Sequence, residues 1–488
     1  RGLAQAPSGS RGEGAAPPAW GSDAGPPASA AQPDRLHISP GAMSACGGAA
    51  PREQSPLLPR KDGGEVANAA KLVVCVGSIF MCGCVGSTLI VFTGDKIAKD
   101  PAGFSESQVS YCQMLFWVGW ATASATLMPS VDSLGRKVPC YSLLGIAVLA
   151  GIISTRTQQV WLYGAMLFVV GFTLPPSGQI GYLLMQESVP ERLRAATTVG
   201  VNVGFSLVLI LMALQCGYVT RAWSWRLETM AWYAPMLLIC LVGPLFVSES
   251  PVFAAQGQGS PSKRLATAEA AGAAEASGSQ QLFGAGMRAT MFYTCICWTS
   301  ASVSFYGLSY SAGSLSPNVY MNVILFALTD IVGYAIPAPI VGAMGSKNAQ
   351  IAGFSGTALS LLLCAMLPQG SWMAVACALV GRLHIDVAFS TVFLLIVDCF
   401  PSSCRAAALG VANVSSRSLT FAAPLCAKAP AYLSCSVLSA LCFAAVGATW
   451  ALDVQPGDRP EVPASAAKAA AEPAQAGRAS GAAAAASV

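Results

Sequence analysis

The feature that most restricts this chain is a hydrophilic eight-residue segment that occurs twice between long apolar runs. Glu187-Ser-Val-Pro-Glu-Arg-Leu-Arg194 returns as Asp398-Cys-Phe-Pro-Ser-Ser-Cys-Arg405, so both copies read acid-x-x-Pro-x-x-x-Arg. Acids, prolines and arginines are each 211 positions apart (398 − 187 for the acids). A second echo keeps nearly the same offset. Leu134-Gly-Arg-Lys137 returns as Met344-Gly-Ser-Lys347, with the glycines 210 apart (345 − 135). Each copy is short and polar, as a tight loop between two hydrophobic helices must be. Two matched halves of apolar helices are the pattern of a duplicated membrane protein.

Composition agrees. Hydrophobic residues make up 54% of the 488 and charged residues only 10%, against about a quarter charged in a soluble protein. So little charge leaves most of the surface facing lipid. The apolar runs predict an all-α membrane protein with six spans near 72–93, 109–131, 138–155, 159–186, 195–219 and 228–248. Six more follow near 288–308, 318–343, 350–368, 371–397, 405–427 and 430–452. Most reach the roughly 20 residues that a bilayer core requires. The expected organisation is a disordered Gly/Ala/Pro/Ser-rich tail over 1–70, a six-helix bundle over 71–248 and a central loop over 249–287. A second bundle over 288–452 and a disordered Ala-rich tail over 453–488 complete it.

The chain opens on Arg1, which reads as a fragment or an upstream extension, with Met43 the expected start. No cleavable signal peptide precedes Lys71. Glu53-Gln-Ser-Pro-Leu-Leu58 resembles an acidic dileucine sorting signal, so the host membrane is expected to be plasma, endolysosomal or vacuolar. Lysine and arginine favour the side carrying both tails and the central loop, twelve against six, which predicts cytoplasmic termini. A net charge of +4, with scattered basic residues, excludes nucleic acid as a partner. The 17 cysteines lie mostly in apolar runs and read as small buried hydrophobes, and two histidines do not make a zinc site. No cofactor is expected, and a monomer in the bilayer is.

The loop charges sit at unfavourable helix poles. Asp132, Glu187 and Asp398 close spans, where the helix end is partly negative; Arg136, Arg194 and Arg405 open the spans that follow. The positive-inside bias accounts for the arginines but not for the acids. Ion pairing across loops accounts for both, and is expected to hold the two halves closed at the cytoplasmic mouth. Pro190 and Pro401 fit as helix stops, and Gly135 and Gly345 as tight turns.

These residues carry a resemblance. Asp132-Ser-Leu-Gly-Arg-Lys137 is similar to the loop signature of the major facilitator superfamily, between its second and third helices. Glu187, Pro190, Arg194 and Ser248-Glu-Ser-Pro251 resemble the sugar-porter and organic-ion branches. Tyr306-Gly-Leu-Ser309, Asn318-Val-Tyr320, Asp398-Cys-Phe-Pro401, Leu409-Gly410, Ser416-Arg417 and Ala423-Pro424 follow the organic-ion branch in order and spacing. The resemblance covers about 72–452. It departs at Ser346, where the second loop copy usually has an arginine, and in the short loop near 94–108, which is large and cysteine-rich in animal members of that branch.

Ionised residues inside the spans are confined to the second half: Asp330, Arg382, His384, Asp386 and Arg417. A charge at bilayer depth is costly, so each is expected to face the bundle interior. Asp330, Asp386 and Arg417 each lie 12 residues from a span edge, about 18 Å deep. Arg382 and Asp386 are spaced to neutralise each other along one helix, and His384 reads as a helix-packing residue. The resemblance points to Arg417 as the leading substrate residue, since anion-preferring members carry an arginine there. Against that, Tyr334 replaces the lysine of anion carriers, and Asp330 could bind a cation or pair with Arg417. Trp298, Phe305 and Tyr306 offer an aromatic wall; lipid-interface anchoring is the competing reading, closer for Phe305 and Tyr306. Gln179 offers an uncharged hydrogen bond.

No phosphate-binding loop supports ATP-driven transport, and no His/acid or Ser/His constellation supports an enzyme. The resulting expectation is a twelve-helix carrier moving a small organic ion by alternating access, with an anion ahead of a cation. A sugar or polar-solute porter is the alternative within the class. A transport-inactive scaffold or sensor is the alternative outside it.

Overall fold

The first apolar run folds as a helix from Asp62, nine residues before the expected bundle boundary at Lys71 (71 − 62), so 62–70 belong to the bundle and not to a tail. The computed structural model describes residues 62–101, 103–128, 131–257, 280–284, 286–315, 318–401 and 404–453. Met43, the 53–58 segment, most of the central loop and both outer tails lie outside the described residues.

Among the described residues, twelve long helical segments follow one another. Helix α1 runs through Asp62–Leu72, a wider π-type turn over Val73–Gly77, Ser78–Met81 and Gly83–Lys99. Helices α2 (Glu106–Thr126), α3 (Lys137–Ser154), α4 (Val160–Ser188), α5 (Glu191–Leu214, extended by Gln215–Val219) and α6 (Trp225–Phe246) complete the first bundle. The second holds α7 (Arg288–Tyr310), α8 (Val319–Gly333), α9 (346–366), α10 (Trp372–Cys399), α11 (Arg405–Thr420, continued by a 3-10 turn at Ala423–Ala427) and α12 (Ala431–Trp450). The span expected over 318–343 is broken. Helix α8 ends at Gly333, and Pro337, whose missing N–H suits the first turn of a helix, starts a second piece. That piece and α9 share Pro337–Met366 and are divided at Gly345, where φ is +80°.

Gly135, between α2 and α3, has φ +87°. The two glycines matched by the repeat are thus two of the three with positive φ among the described residues, and both make the expected turns. The repeat extends to packing. Helix α3 packs on α4 as α9 packs on α10, α3 on α6 as α9 on α12, and α2 on α4 as α8 on α10. Between the bundles, α2 meets α11 and α5 meets α8, two contacts that exchange under a pseudo-twofold relation. Gly119 and Gly171 let α2 and α4 cross backbone to backbone: a Cβ on either would sit 2.2 Å from Phe168 O or 1.9 Å from Phe116 O.

Helices α1, α3, α4, α5, α6, α9, α10 and α12 are long and apolar enough to span a bilayer on composition alone. The remaining four, α2, α7, α8 and α11, carry buried polar residues such as Gln113, Ser302, Asn322 and Arg417. They pack against the other bundle or each other, so less of their surface has to suit lipid.

Candidate functional site

Where the bundles meet, a cavity is lined by Thr88 of α1, Phe205 and Leu209 of α5, Phe305, Tyr306 and Ser309 of α7, Val323 and Phe326 of α8, and Arg382 of α10. Both halves therefore contribute wall. The free space open to the centre of a water molecule is about 20 Å³, enough for a water and not for an organic solute.

Arg382 is the cavity's charged wall. Its Nε and Nη2 donate to Asp330 Oδ1 and Oδ2 at 2.6 and 2.8 Å, a two-pronged pair. Nη1 donates to Phe305 O at 2.7 Å and Ser309 Oγ at 2.9 Å, and the guanidinium lies 3.5 Å above the Phe305 ring. Arg382 is 1% exposed and Asp330 fully buried. The expected pairing of Arg382 with Asp386 along one helix is not what forms; Arg382 reaches across to α8 because there it meets a carboxylate end-on. Asp386 packs instead on Gly333, and both its carboxylate oxygens are buried without a hydrogen-bond partner.

Arg417 stands behind the cavity. Its Nη1 donates to Ser302 Oγ at 3.1 Å, and its guanidinium lies 4.0 Å from the Trp120 ring and 5.9 Å from that of Tyr306. Nε has no partner. Among the described residues no carboxylate faces Arg417, and of the two roles left open for Asp330 neither forms, since it pairs with Arg382. Trp117 stacks on Trp120 and meets Tyr306 edge-on at 4.5 Å, which carries the aromatic wall across both bundles.

At the end away from the described termini, Tyr310 closes the gap. Its hydroxyl donates to Ser87 O at 2.6 Å and accepts from Gln113 Nε2 at 3.0 Å and Trp117 Nε1 at 3.2 Å. One α7 hydroxyl thereby ties down α1 and α2. Tyr320 at the start of α8 stacks on Phe92 of α1 and covers Gly217 after α5.

At the terminus-bearing end, the following contacts of the loop charges each lie within one bundle. Arg136 Nη2 donates to Glu187 Oε1 at 3.4 Å, and Glu187 also accepts from Ser250 Oγ. Glu249 accepts from the backbone N–H groups of Arg136 and Lys137 at 2.9 and 3.0 Å, capping the positive end of α3. These contacts tie the turn between α2 and α3 to the end of α4 and to the residues that follow α6, within the first bundle. In the second bundle Ser346 Oγ donates to Asp398, filling the place of the usual arginine with a neutral donor. Lys347 Nζ reaches Trp450 O and Leu452 O at the end of α12. Arg194 and Arg405 donate to backbone carbonyls of Val189 and Val397. The Asp132 side chain lies outside the described residues.

A model of the Major Facilitator Superfamily matches residues 75–424. The chain belongs to this superfamily. Its relatives include the organic cation/carnitine transporter 4 of Arabidopsis thaliana, 24% identical over 65% of this chain and 66% of its own length. The organic cation transporter protein of Drosophila melanogaster is 22% identical over 62% of this chain and 60% of its own. The human solute carrier family 22 member 16 is 21% identical over 64% and 58%. The chain thus aligns with less than two thirds of the length of each of these relatives. Among solved structures, the proton:xylose symporter XylE shares the fold with a TM-score of 0.58 at 14% identity, covering 79% of this chain and 96% of that one. The protein is therefore a multi-pass integral membrane member of the superfamily.

Within this superfamily fold, Arg382 and Tyr306 of the expected substrate residues line the cavity, while Asp330 and Arg417 touch those two. Phe305 and Tyr306 face the cavity and not lipid. Trp298 is not brought there; it packs edge-on against Phe393 at 4.6 Å in a separate core of the second bundle. Gln179 is half-buried on α4 and does not line the cavity. His384 packs against Gly356, its Nδ1 2.8 Å from Val380 O. Sequence reasoning missed Gln113, Trp117, Trp120 and Tyr310. The first three are spaced four and three apart on α2, a polar and aromatic stripe on one helical face that could have flagged them.

Proposed function

We propose that this protein moves a small organic ion bearing an anionic group by alternating access, with Arg417 as the counter-charge. The observation that carries the reading is a buried guanidinium with no carboxylate beside it and an unpartnered Nε, set against Trp120 and Tyr306. A buried cation without a counter-ion is costly, and a solute anion would supply one. The neighbouring rings suit an apolar or alkylammonium body. Carnitine, which appears in the name of the Arabidopsis relative, combines a carboxylate with such a body. The second reading is an organic cation, favoured by the names of the other relatives and by two buried acids near the cavity.

Reorientation would open and close the two ends in turn, with Tyr310 and Tyr320 sealing one. At the other, the brace of Gly135, Arg136, Glu187, Asp398 and Arg405, with Asp132 and Arg194, would hold each bundle rigid. We place the termini in the cytoplasm and the monomer in a plasma, endolysosomal or vacuolar membrane, with no nucleic-acid partner.

Purified protein in liposomes, given labelled carnitine, benzoate, tetraethylammonium and glucose, tests this. Uptake of carnitine or benzoate is expected, with Arg417→Ala lowering it at least about tenfold, the value of one charge-assisted contact. Uptake of tetraethylammonium alone would transfer the case to the cation reading, and glucose alone to a sugar porter. No uptake of any solute would favour a scaffold.

A further inference from the structure

Asp330 and Asp386 are two buried acids with a single arginine between them. Arg382 directs four of its five N–H donors to Asp330, Phe305 O and Ser309 Oγ, and none of its donors reaches Asp386. Asp386 is 2% exposed, and neither carboxylate oxygen has a donor. The polar group within its reach is the carboxylate of Asp330, itself an acceptor. Two ionised carboxylates repel; one of them carrying a proton makes a hydrogen bond. A lone ionised carboxylate at this depth would cost several kcal/mol, whereas a protonated Asp386 donating to Asp330 leaves the cluster neutral: one cation, one anion, one acid.

The other groups facing Asp386 do not remove the need for that proton. Tyr334 from α8 is a neutral phenol beside both acids. Towards α10, α7 presents Phe305 and Ser309, and α9 presents Gly353 and Thr357, all uncharged. Gly333 is what lets the carboxylate sit here, since a Cβ at that position would lie 2.5 Å from Asp386 Oδ2.

We propose that Asp386 is a proton-binding site, its proton shared with Asp330, through which the carrier couples solute movement to a proton gradient. The proton is taken up by the Asp386 carboxylate from one side and released to the other, with no other bond made or broken. When it leaves, Arg382 is contested by two carboxylates, one of them a helical turn away on α10, and Arg382 is a wall of the solute cavity. Proton state and cavity electrostatics are thereby linked. This rests on the carrier reading above, but the proton can be observed without it.

Two measurements test the proposal. Infrared difference spectra of the purified protein in lipid nanodiscs should show the C=O band of a buried carboxylic acid that Asp386→Asn removes. Absence of that band in the wild type, or its persistence in the variant, overturns the site. In liposomes with the membrane potential clamped at zero and the outside acid, the wild type should accumulate whichever panel solute it carries, up to about tenfold per pH unit for one proton per solute. Asp386→Asn should level at equal concentrations. A variant that is merely slow would still reach the wild-type plateau, and that plateau would refute coupling. A band at Asp386 with no solute carried would sink the carrier reading and leave the proton site standing.

Discussion

Asp330→Asn is the sharpest test of the central electrostatics. The substitution keeps volume and removes one charge from a pair in which both members are 1% exposed or less. Arg382 would keep its bonds to Phe305 O and Ser309 Oγ and its seat on the Phe305 ring. It would lose both carboxylate bonds, and the guanidinium would stay buried. Breaking such a pair from one side costs about 3–5 kcal/mol. At about 2 °C per kcal/mol, the low end for a large chain, melting should fall by roughly 6–10 °C. Tryptophan fluorescence during heating in detergent reads this directly, because Trp117 and Trp120 are buried near the cavity. The double variant Asp330→Leu/Arg382→Leu removes both charges together and should melt at or above the single variant, since apolar replacement of a buried pair is often neutral or better. A single variant melting within about 2 °C of wild type, or a double variant melting well below the single, would refute the assignment of Asp330 as the counter-ion.

Two further outcomes follow from the ends of the bundles. Tyr310→Phe deletes a hydroxyl that serves Ser87, Gln113 and Trp117 at once; labelling by a membrane-impermeant maleimide of a cysteine placed at Ser87 should rise severalfold, and unchanged labelling would remove Tyr310 from the seal. Gly135→Ala forces a side chain into left-handed backbone, with its Cβ 2.9 Å from Glu249 Oε2. It should slow uptake of every carried solute by a similar factor, with melting lowered by about 1–3 kcal/mol in equivalent stability; a defect confined to one solute would argue against a bracing role.

Much of the architecture was legible because duplication writes itself twice. Gly135 and Gly345 share a backbone conformation that a side chain resists, so the turn could be read from composition alone. The pairing of interior charges could not. Counting residues inward gives depth along a helix but not the direction a side chain faces around it. Arg382 is 11 residues from Ser371 (382 − 371) and Asp330 is 12 from Asn318 (330 − 318), which sets the two level from one surface. The i,i+4 relation of Arg382 and Asp386 suggested a pair, yet a neighbouring helix offered better two-pronged geometry. Trp298 was placed with Tyr306 for the same reason, since both are aromatic residues of α7 and only their angular position separates core from cavity.

Each ion pair described above stays within one bundle, from Arg136–Glu187 to Arg382–Asp330. What ties bundle to bundle at the sealed end is neutral: a phenol, an amide, an indole and stacked rings. Counter-ions screen charges over about a Debye length and leave such contacts almost untouched. The barrier to swinging the halves apart should therefore be nearly indifferent to ionic strength, so that a carrier built this way cycles alike in dilute and in saline surroundings.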